Sequence, residues 1–178
     1  QTGTGKTAAF LVPLMDRILR SRAAPSRPEP PPPPDDEHPS EAPADAASEM
    51  ENRIFPEWQD NHFVLILVPT RELAEQIYGN VYQLRGTSAI EAAVIIGGVA
   101  YDEQKRSLSK GVAFIIATPG RLIDLYKEHL IDLRQVRAVV FDEADRMLDM
   151  GFKDDMKYIL QRIPKKRQFL VFSATLNF

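Results

Sequence analysis

The sequence predicts an α/β fold in which helices cover both faces of a parallel sheet. Short apolar, β-branched runs alternate along the chain with stretches of helical periodicity. Alternation of this kind is typical of parallel strands joined by right-handed crossovers. None of the apolar runs alternates polar with apolar residues, which predicts strands that are buried on both faces.

The apolar runs mark five predicted strands, at 63–68, 92–96, 112–117, 138–141 and 169–172. Helical periodicity is found at 6–19, 71–84, 102–109, 119–128 and 152–162. Thr70 and Thr118 are placed as helix N-caps, and Pro119 takes a first helical position, where its missing N–H costs nothing. In such sheets ligands bind beyond the carboxyl ends of the strands, so the residues that follow each strand are the candidates for function.

Residues 21–62 differ in composition from the rest of the chain. This segment holds three basic and ten acidic residues, a balance of −7, and ten of the fourteen prolines. The remainder carries +4, which is too little to predict a nucleic-acid partner by itself. We expect residues 23–53 to form a disordered acidic insert. The apolar residues Ile54, Phe55 and Trp58 would either pack back onto the domain or form a docking motif for a protein partner.

Two absences exclude classes of protein. The chain of 178 residues has no Cys, which excludes a disulfide framework, a thiolate zinc site and a cysteine nucleophile. Its longest apolar stretch, 63–69, is far shorter than the ~20 residues of a membrane-spanning helix. We therefore expect no membrane association, and the lack of cysteine fits the reducing cytoplasm.

The first chemical motif is Gly3-Thr4-Gly5-Lys6-Thr7, which leads directly into the first predicted helix. Its glycines allow backbone N–H groups to turn around phosphate oxygens, and the helix N-terminus adds partial positive charge. Lys6 would reach the β- and γ-phosphates of a nucleotide, and the Thr7 hydroxyl would ligate Mg²⁺. A plain surface turn is the alternative for so short a motif.

The second motif is Asp142-Glu143-Ala144-Asp145, at the end of the fourth predicted strand. Asp142 is suited to hold Mg²⁺ through water, and Glu143 to orient or deprotonate an attacking water. The alternative is an acidic cluster that only opens a helix. Because one motif supplies phosphate contacts and the other a metal ligand and a base, together they predict phosphoryl transfer with Lys6, Asp142 and Glu143 as catalytic residues.

With these motifs, the chain resembles the first RecA-like domain of DEAD-box RNA helicases over nearly all of its length outside the acidic insert. Six of its motifs match those of the family in the same order: 1–7 (motif I), 69–74 (Ia), 97–98 (paired glycines), 118–121 (Ib), 142–145 (II) and 173–175 (III). The stretches 120–124 and 172–176 are most similar to bacterial, degradosome-type members.

The resemblance implies an ATP-dependent RNA helicase with a RecA-like P-loop fold, and it assigns residues to each site. The residues implied to bind ATP are Thr2, Gly3, Thr4, Gly5, Lys6 and Thr7. Those implied to contact the RNA backbone are Pro69, Thr70, Arg71, Gly97, Gly98, Thr118, Pro119, Gly120 and Arg121. Asp145, Ser173 and Thr175 would couple the two sites.

The resemblance also implies parts of the family pattern that lie outside this sequence. The strand that leads into motif I would precede Gln1, and a second RecA-like domain with an arginine finger would follow Phe178. We therefore expect residues 1–178 to be a partial first domain that hydrolyses little ATP alone. Two alternatives remain open: a non-catalytic ATP- or RNA-binding fragment, and a different P-loop helicase that acts on DNA.

Overall fold

The computed structural model describes residues 4–23 and 58–174. Its strands form one sheet in the order β2-β3-β1-β4-β5, and every neighbouring pair is parallel. The strands are β1 (Phe63–Leu67), β2 (Ala92–Ile95), β3 (Phe114–Ala117), β4 (Val136–Phe141) and β5 (Gln168–Val171). The predicted α/β class is confirmed.

The helices connect these strands across the two faces of the sheet. They are α1 (Thr4–Ala23), α2 (Arg71–Leu84), α3 (Tyr101–Leu108), α4 (Pro119–Lys127), α5 (Ala144–Asp149) and α6 (Lys153–Leu160), with a 3₁₀ turn at Leu133–Gln135. α5 was not among the predicted helices, because its six residues are too few to show a clear helical period.

Two apolar clusters lie on opposite faces of the sheet, and β1 contributes to both. Val64 and Ile66 pack in the cluster with α1 and α2, whereas Leu65 and Leu67 pack in the one with α4 and α6. Successive side chains of a strand point to opposite faces, so a strand covered on both sides needs an apolar residue at every position. All five residues of β1 are buried, as the sequence predicts.

β5 does not follow this prediction. Phe169 and Val171 are 47% and 44% exposed, and they alternate with the more buried Gln168 and Leu170. The expectation that 169–172 is buried on both faces is wrong, because β5 lies at the edge of the described sheet and one of its faces meets solvent.

α1 ends at the amino edge of the sheet, opposite to the edge where ligands are expected. Arg17 Nη1 donates to Oε1 of Gln168 at the start of β5 over 3.4 Å, and the N–H of Trp58 donates to Ser21 Oγ over 3.1 Å. Trp58 packs against the cluster of α1 and α2, as one of the two predicted alternatives requires.

Most of the acidic segment lies outside the residues that the structure describes. Ala23 still belongs to α1, while residues 24–57, with Ile54, Phe55 and nearly all of the predicted disordered insert, lie outside the described residues. Among the helices of the described ranges, none is both long and apolar enough to cross a membrane.

Candidate active site

A cavity of about 430 Å³ opens at the carboxyl edge of the sheet. Its wall is formed by the start of α1, by α2, by the turn after β4 and by the segment after β5. The lining residues are Lys6, Thr7, Leu73, Gln76, Asp142, Glu143, Asp145, Arg146, Ser173 and Ala174. The fold thus brings the two sequence motifs together, although they are about 135 residues apart in the chain.

The sheet itself holds Asp142 at the cavity wall. The Asp142 N–H donates to the carbonyl of Leu67 over 3.0 Å, which extends the pairing of β4 with β1 by one residue. Asp142 is only 5% exposed, and its Oδ1 accepts the N–H of Glu143 over 3.0 Å. Burial raises the pKa of the Asp142 carboxyl and the charge of Glu143 adds to this, while the Glu143 N–H and Lys6 act in the opposite direction. A buried carboxylate of this kind gains from a nearby cation.

The oxygen donors of the cavity fit Mg²⁺. In the part of the chain that the structure describes, no three His, Cys, Asp or Glu side chains are grouped to hold a metal by themselves. Mg²⁺ is usually bound by one or two carboxylates, with water and substrate phosphates as the remaining ligands. Asp142 and the hydroxyl of Thr7, a residue that is 4% exposed, are donors of that type.

Space for a ligand is also left at the start of α1. A Cβ added to Gly5 would meet no atom within 4 Å. The absence of a side chain at Gly5 therefore leaves room beside Lys6 that the described residues do not fill, as close approach of a phosphate to the backbone requires. Thr2 and Gly3 of the same predicted loop lie outside the described residues.

Glu143 has an unusual backbone conformation. Its φ of 54° and ψ of 49° lie in the left-handed region, which typically costs a non-glycine residue about 1–3 kcal/mol. The residue links the end of β4 to the start of α5. Its carboxylate Oε2 lies 3.2 Å from Nη1 of Arg146, and its side chain is 24% exposed. Strained residues held by their surroundings are frequent at functional sites.

Asp145 connects the turn after β4 to the segment after β5. Its two carboxylate oxygens accept the N–H of Arg146 over 3.0 Å and the N–H of Ala174 over 3.2 Å. In parallel, the N–H of Ala144 donates to the carbonyl of Phe172 over 3.0 Å. The predicted coupling residues Asp145 and Ser173 thus both lie at the cavity, whereas Thr175 lies outside the described residues.

The predicted RNA-contacting residues follow β1, β2 and β3, which are neighbours in the sheet. Thr70 caps α2 as predicted, because its Oγ1 accepts the N–H of Leu73 over 3.3 Å. The guanidinium of Arg71 lies over Gly97 and Gly98 so closely that a Cβ on Gly98 would collide with it. Gly98 also has a positive φ of 82°, so both space and backbone favour glycine there.

Arg121 is engaged within the protein. Its Nη2 donates to the carbonyl of Val99, its Nε donates to Oε1 of Gln104 over 3.4 Å, and its guanidinium lies 3.8 Å from the ring centroid of Tyr101. Gln104 is 2% exposed and donates from Nε2 to the carbonyls of Ile96 and Val99 over 3.0 and 3.1 Å. These contacts brace the paired-glycine loop.

Thr118, Pro119 and Gly120 begin α4, where the sequence places them. The side chain of Thr118, however, makes no capping hydrogen bond, so the N-cap prediction holds for its position and fails for its bonding. The first turn is closed through the backbone instead, since the N–H of Leu122 donates to the Thr118 carbonyl over 3.1 Å. Pro69 precedes the Thr70 cap at the end of β1.

Comparison with known proteins shows which family the chain matches. A family model for DEAD/DEAH box helicases matches residues 1–177. The ATP-dependent RNA helicase RhlB of Xanthomonas oryzae pv. oryzae is 41% identical over 180 residues, covering 99% of this chain and 26% of that protein. RhlB of Vibrio cholerae is 37% identical, covering 100% of this chain and 34% of that protein. The chain thus spans about a quarter to a third of the length of these curated relatives.

Solved structures show the same fold. The yeast DEAD-box splicing factor Prp28 matches with a TM-score of 0.69 and 32% identity, over 99% of this chain and 35% of that one. A hypothetical ATP-dependent RNA helicase from Sulfolobus tokodaii matches with a TM-score of 0.68 and 29% identity, over 98% of this chain and 40% of that one. The parallel sheet and its helices are therefore those of the RecA-like domain.

The raised pKa of Asp142 predicts that Asp142→Asn stabilises the metal-free protein at neutral pH. A carboxyl with a raised pKa favours the folded state only while it is protonated, and this contribution is lost as the pH rises through the folded pKa. We expect a gain on the order of 1 kcal/mol in the free energy of unfolding, measured by urea denaturation with a chelator at pH 7.

The gain should disappear in acid below the pKa of Asp142, where the parent carboxyl is neutral too. Asp124→Asn, at an exposed carboxylate of α4, is the matched control. Equal stability of the Asp142→Asn variant and the parent at pH 7 would contradict the inferred cost of burying this charge.

The bonds of Gln104 predict that Gln104→Leu lowers the free energy of unfolding by roughly 1–3 kcal/mol, because the buried Ile96 carbonyl loses its Gln104 donor and the Val99 carbonyl keeps only that of Arg121. Gln161→Leu, at an exposed position after α6, should change it by less than about 0.5 kcal/mol. Chemical denaturation measures the free energy of unfolding of both variants. Similar small changes in the two would show that the bonds of Gln104 contribute little to stability.

Proposed function

Because the chain belongs to the DEAD/DEAH box helicase family, we propose that it forms the first RecA-like domain of an ATP-dependent RNA helicase. The observation that carries this proposal is the cavity in which Lys6 and Thr7 face Asp142 and Glu143. A site for phosphoryl transfer needs a cation for the phosphates, oxygen ligands for a metal and a group that orients water. The side chains that line the cavity support all three roles.

In the proposed reaction, water attacks the γ-phosphate of ATP and the bond that joins it to the β-phosphate breaks, which gives ADP and inorganic phosphate. Lys6 and the N–H groups at the start of α1 bind the phosphates, while Thr7 and Asp142 would hold Mg²⁺. Mg²⁺, when bound, neutralises charge on the phosphate oxygens and orients them. Glu143 holds the attacking water and accepts its proton, which a carboxylate at the cavity wall is placed to do.

RNA would bind beside this cavity, over the ends of β2, β3 and β1. The N-termini of α2 and α4 point to that edge and supply backbone N–H groups, and Arg71 supplies a positive charge above the paired glycines. Groups of this kind contact phosphates rather than bases, so binding would be largely independent of sequence and sensitive to salt. Asp145, through its bonds to Arg146 and Ala174, would link RNA binding to hydrolysis.

We further propose that a second RecA-like domain acts in cis and supplies an arginine finger. The small share of the relatives' length that this chain spans supports it. A strand leading into motif I would pair with β5, where Phe169 and Val171 are exposed. α1, which follows motif I, packs beside the end of β5, since the ring centroids of Phe10 and Phe172 are 5.2 Å apart.

The acidic segment would act away from both sites. Its flanking residues Ala23 and Trp58 lie at the amino edge of the sheet, whereas ATP and RNA would bind at the carboxyl edge. We propose that it is either a spacer or a docking segment for a protein partner. A cytoplasmic location is proposed because cellular RNA and ATP are both present there.

In a protein that carries both RecA-like domains, Glu143→Gln should keep ATP and RNA affinity while hydrolysis falls by roughly 10²- to 10⁴-fold, because the amide cannot accept the proton. Lys6→Ala should weaken nucleotide binding instead. Phosphate release and nucleotide titration measure the two effects, and hydrolysis at the parent rate by Glu143→Gln would move the role of base to another residue.

Arg71→Ala should weaken RNA binding about equally for unrelated sequences, because a phosphate contact reads no bases. The slope of log K against log salt should fall by about 0.7, the value of one single-strand contact. Arg134→Ala removes an exposed arginine at the opposite edge of the sheet and serves as control. A loss confined to some RNA sequences would indicate base recognition instead.

A further inference from the structure

We propose that Arg146 is a positioning residue, which holds the carboxylate of Glu143 in the orientation needed to activate water. This inference rests on the proposed hydrolysis of ATP. Neither the phosphate loop nor the acidic motif assigns a role to Arg146, which directly follows residues 142–145 in the sequence. The assignment comes from the side-chain contact between the two residues and from their shared place at the cavity.

The contact is an ion pair across the first turn of α5. Nη1 of Arg146 donates to Oε2 of Glu143 over 3.2 Å. Glu143 is the N-cap residue of α5 and Arg146 lies in the first turn of that helix, so their side chains are close enough to pair. The hydrogen bond engages Oε2 and leaves Oε1 of Glu143 for a water molecule.

The backbones of both residues are anchored. Glu143 takes its left-handed conformation directly after Asp142, whose N–H is bonded to β1. The N–H of Arg146 donates to Asp145, which also accepts the N–H of Ala174 after β5. The backbones of Glu143 and Arg146 are therefore both held through bonds to the sheet. What can still vary is the rotamer of the Glu143 side chain. Arg146 restricts that rotamer.

The ion pair adds little to the stability of the fold. The Arg146 side chain is 56% exposed, and exposed pairs at this spacing are weak and screened by salt. Substitution of Arg146 should therefore leave the protein folded, so that its effect is seen in hydrolysis. A directed side chain matters more to a general base than to folding, because proton transfer depends on the position of the carboxylate.

The test uses the protein that carries both RecA-like domains. Arg146→Ala should lower kcat about 3- to 10-fold, a part of the 10²- to 10⁴-fold that general-base catalysis is typically worth. The Kd for ATP, measured with a fluorescent non-hydrolysable analogue, should stay unchanged. Arg146→Lys should keep most of the parent kcat, because an ammonium can pair with the same carboxylate.

The matched control is Arg20→Ala. Arg20 forms an exposed ion pair with Asp16 over 2.9 Å on α1, away from the cavity. Arg20→Ala, like Arg146→Ala, removes one positive charge and one ion pair. It should leave kcat unchanged. A second readout needs no hydrolysis: in the ¹⁵N-labelled protein without nucleotide, Glu143→Gln should shift the side-chain N–H signals of Arg146.

The outcomes separate this inference from the proposed function. If the parent protein hydrolyses no ATP even with RNA present, the proposed function itself is contradicted, before any variant is compared. With an active parent, an unchanged kcat in Arg146→Ala overturns the inference. So does a weaker Kd for ATP, which would assign Arg146 to phosphate binding, and so does a rise in kcat, which would show that the pair restrains the base.

Discussion

The parallel pairing of β1 with β4 is the constraint on which both halves of the functional edge depend. Leu67 lies opposite Phe141 in this pairing, and the next bond, from the N–H of Asp142 to the Leu67 carbonyl, carries the register past the end of the strands. Since side chains alternate between faces, a slip of one residue would turn Asp142 away from Lys6. β1 also leads into Thr70 and Arg71. One register thus places the proposed metal ligand Asp142 and the start of the proposed RNA-binding edge together.

Two features of the site are unfavourable for folding, and packing in the rest of the domain offsets them. Asp142 is buried with a raised pKa, and Glu143 is held in a left-handed backbone conformation. Neither feature would be favoured in a protein selected for stability alone. In the proposed reaction both features are useful, because a bound cation would compensate the charge of Asp142 and Glu143 would already be directed at the attacking water. The double-sided apolar packing of β1 supports this arrangement.

Much of this arrangement could be predicted from residue types and local spacing. Continuous apolar runs predict the central strands, Thr70 is recognisable as a cap, and the end of the fourth strand locates Asp142. What could not be predicted depends on contacts between distant segments. Gln104 carries no sign of burial in its own helix, and the bracing of the glycine loop by Arg121 requires α3 and α4 to be in place.

The exposed outer side of β5 has a consequence for handling the chain on its own. Within the described residues no strand pairs with this edge, and a strand edge that combines free backbone groups with Phe169 and Val171 is a template for self-association. Proline, lysine and bulges usually protect such edges, and none occurs in Gln168–Val171. Three basic residues directly precede β5, Lys165, Lys166 and Arg167, and like charges beside an exposed strand repel one another between copies. High salt would weaken that repulsion and favour aggregation of the isolated segment.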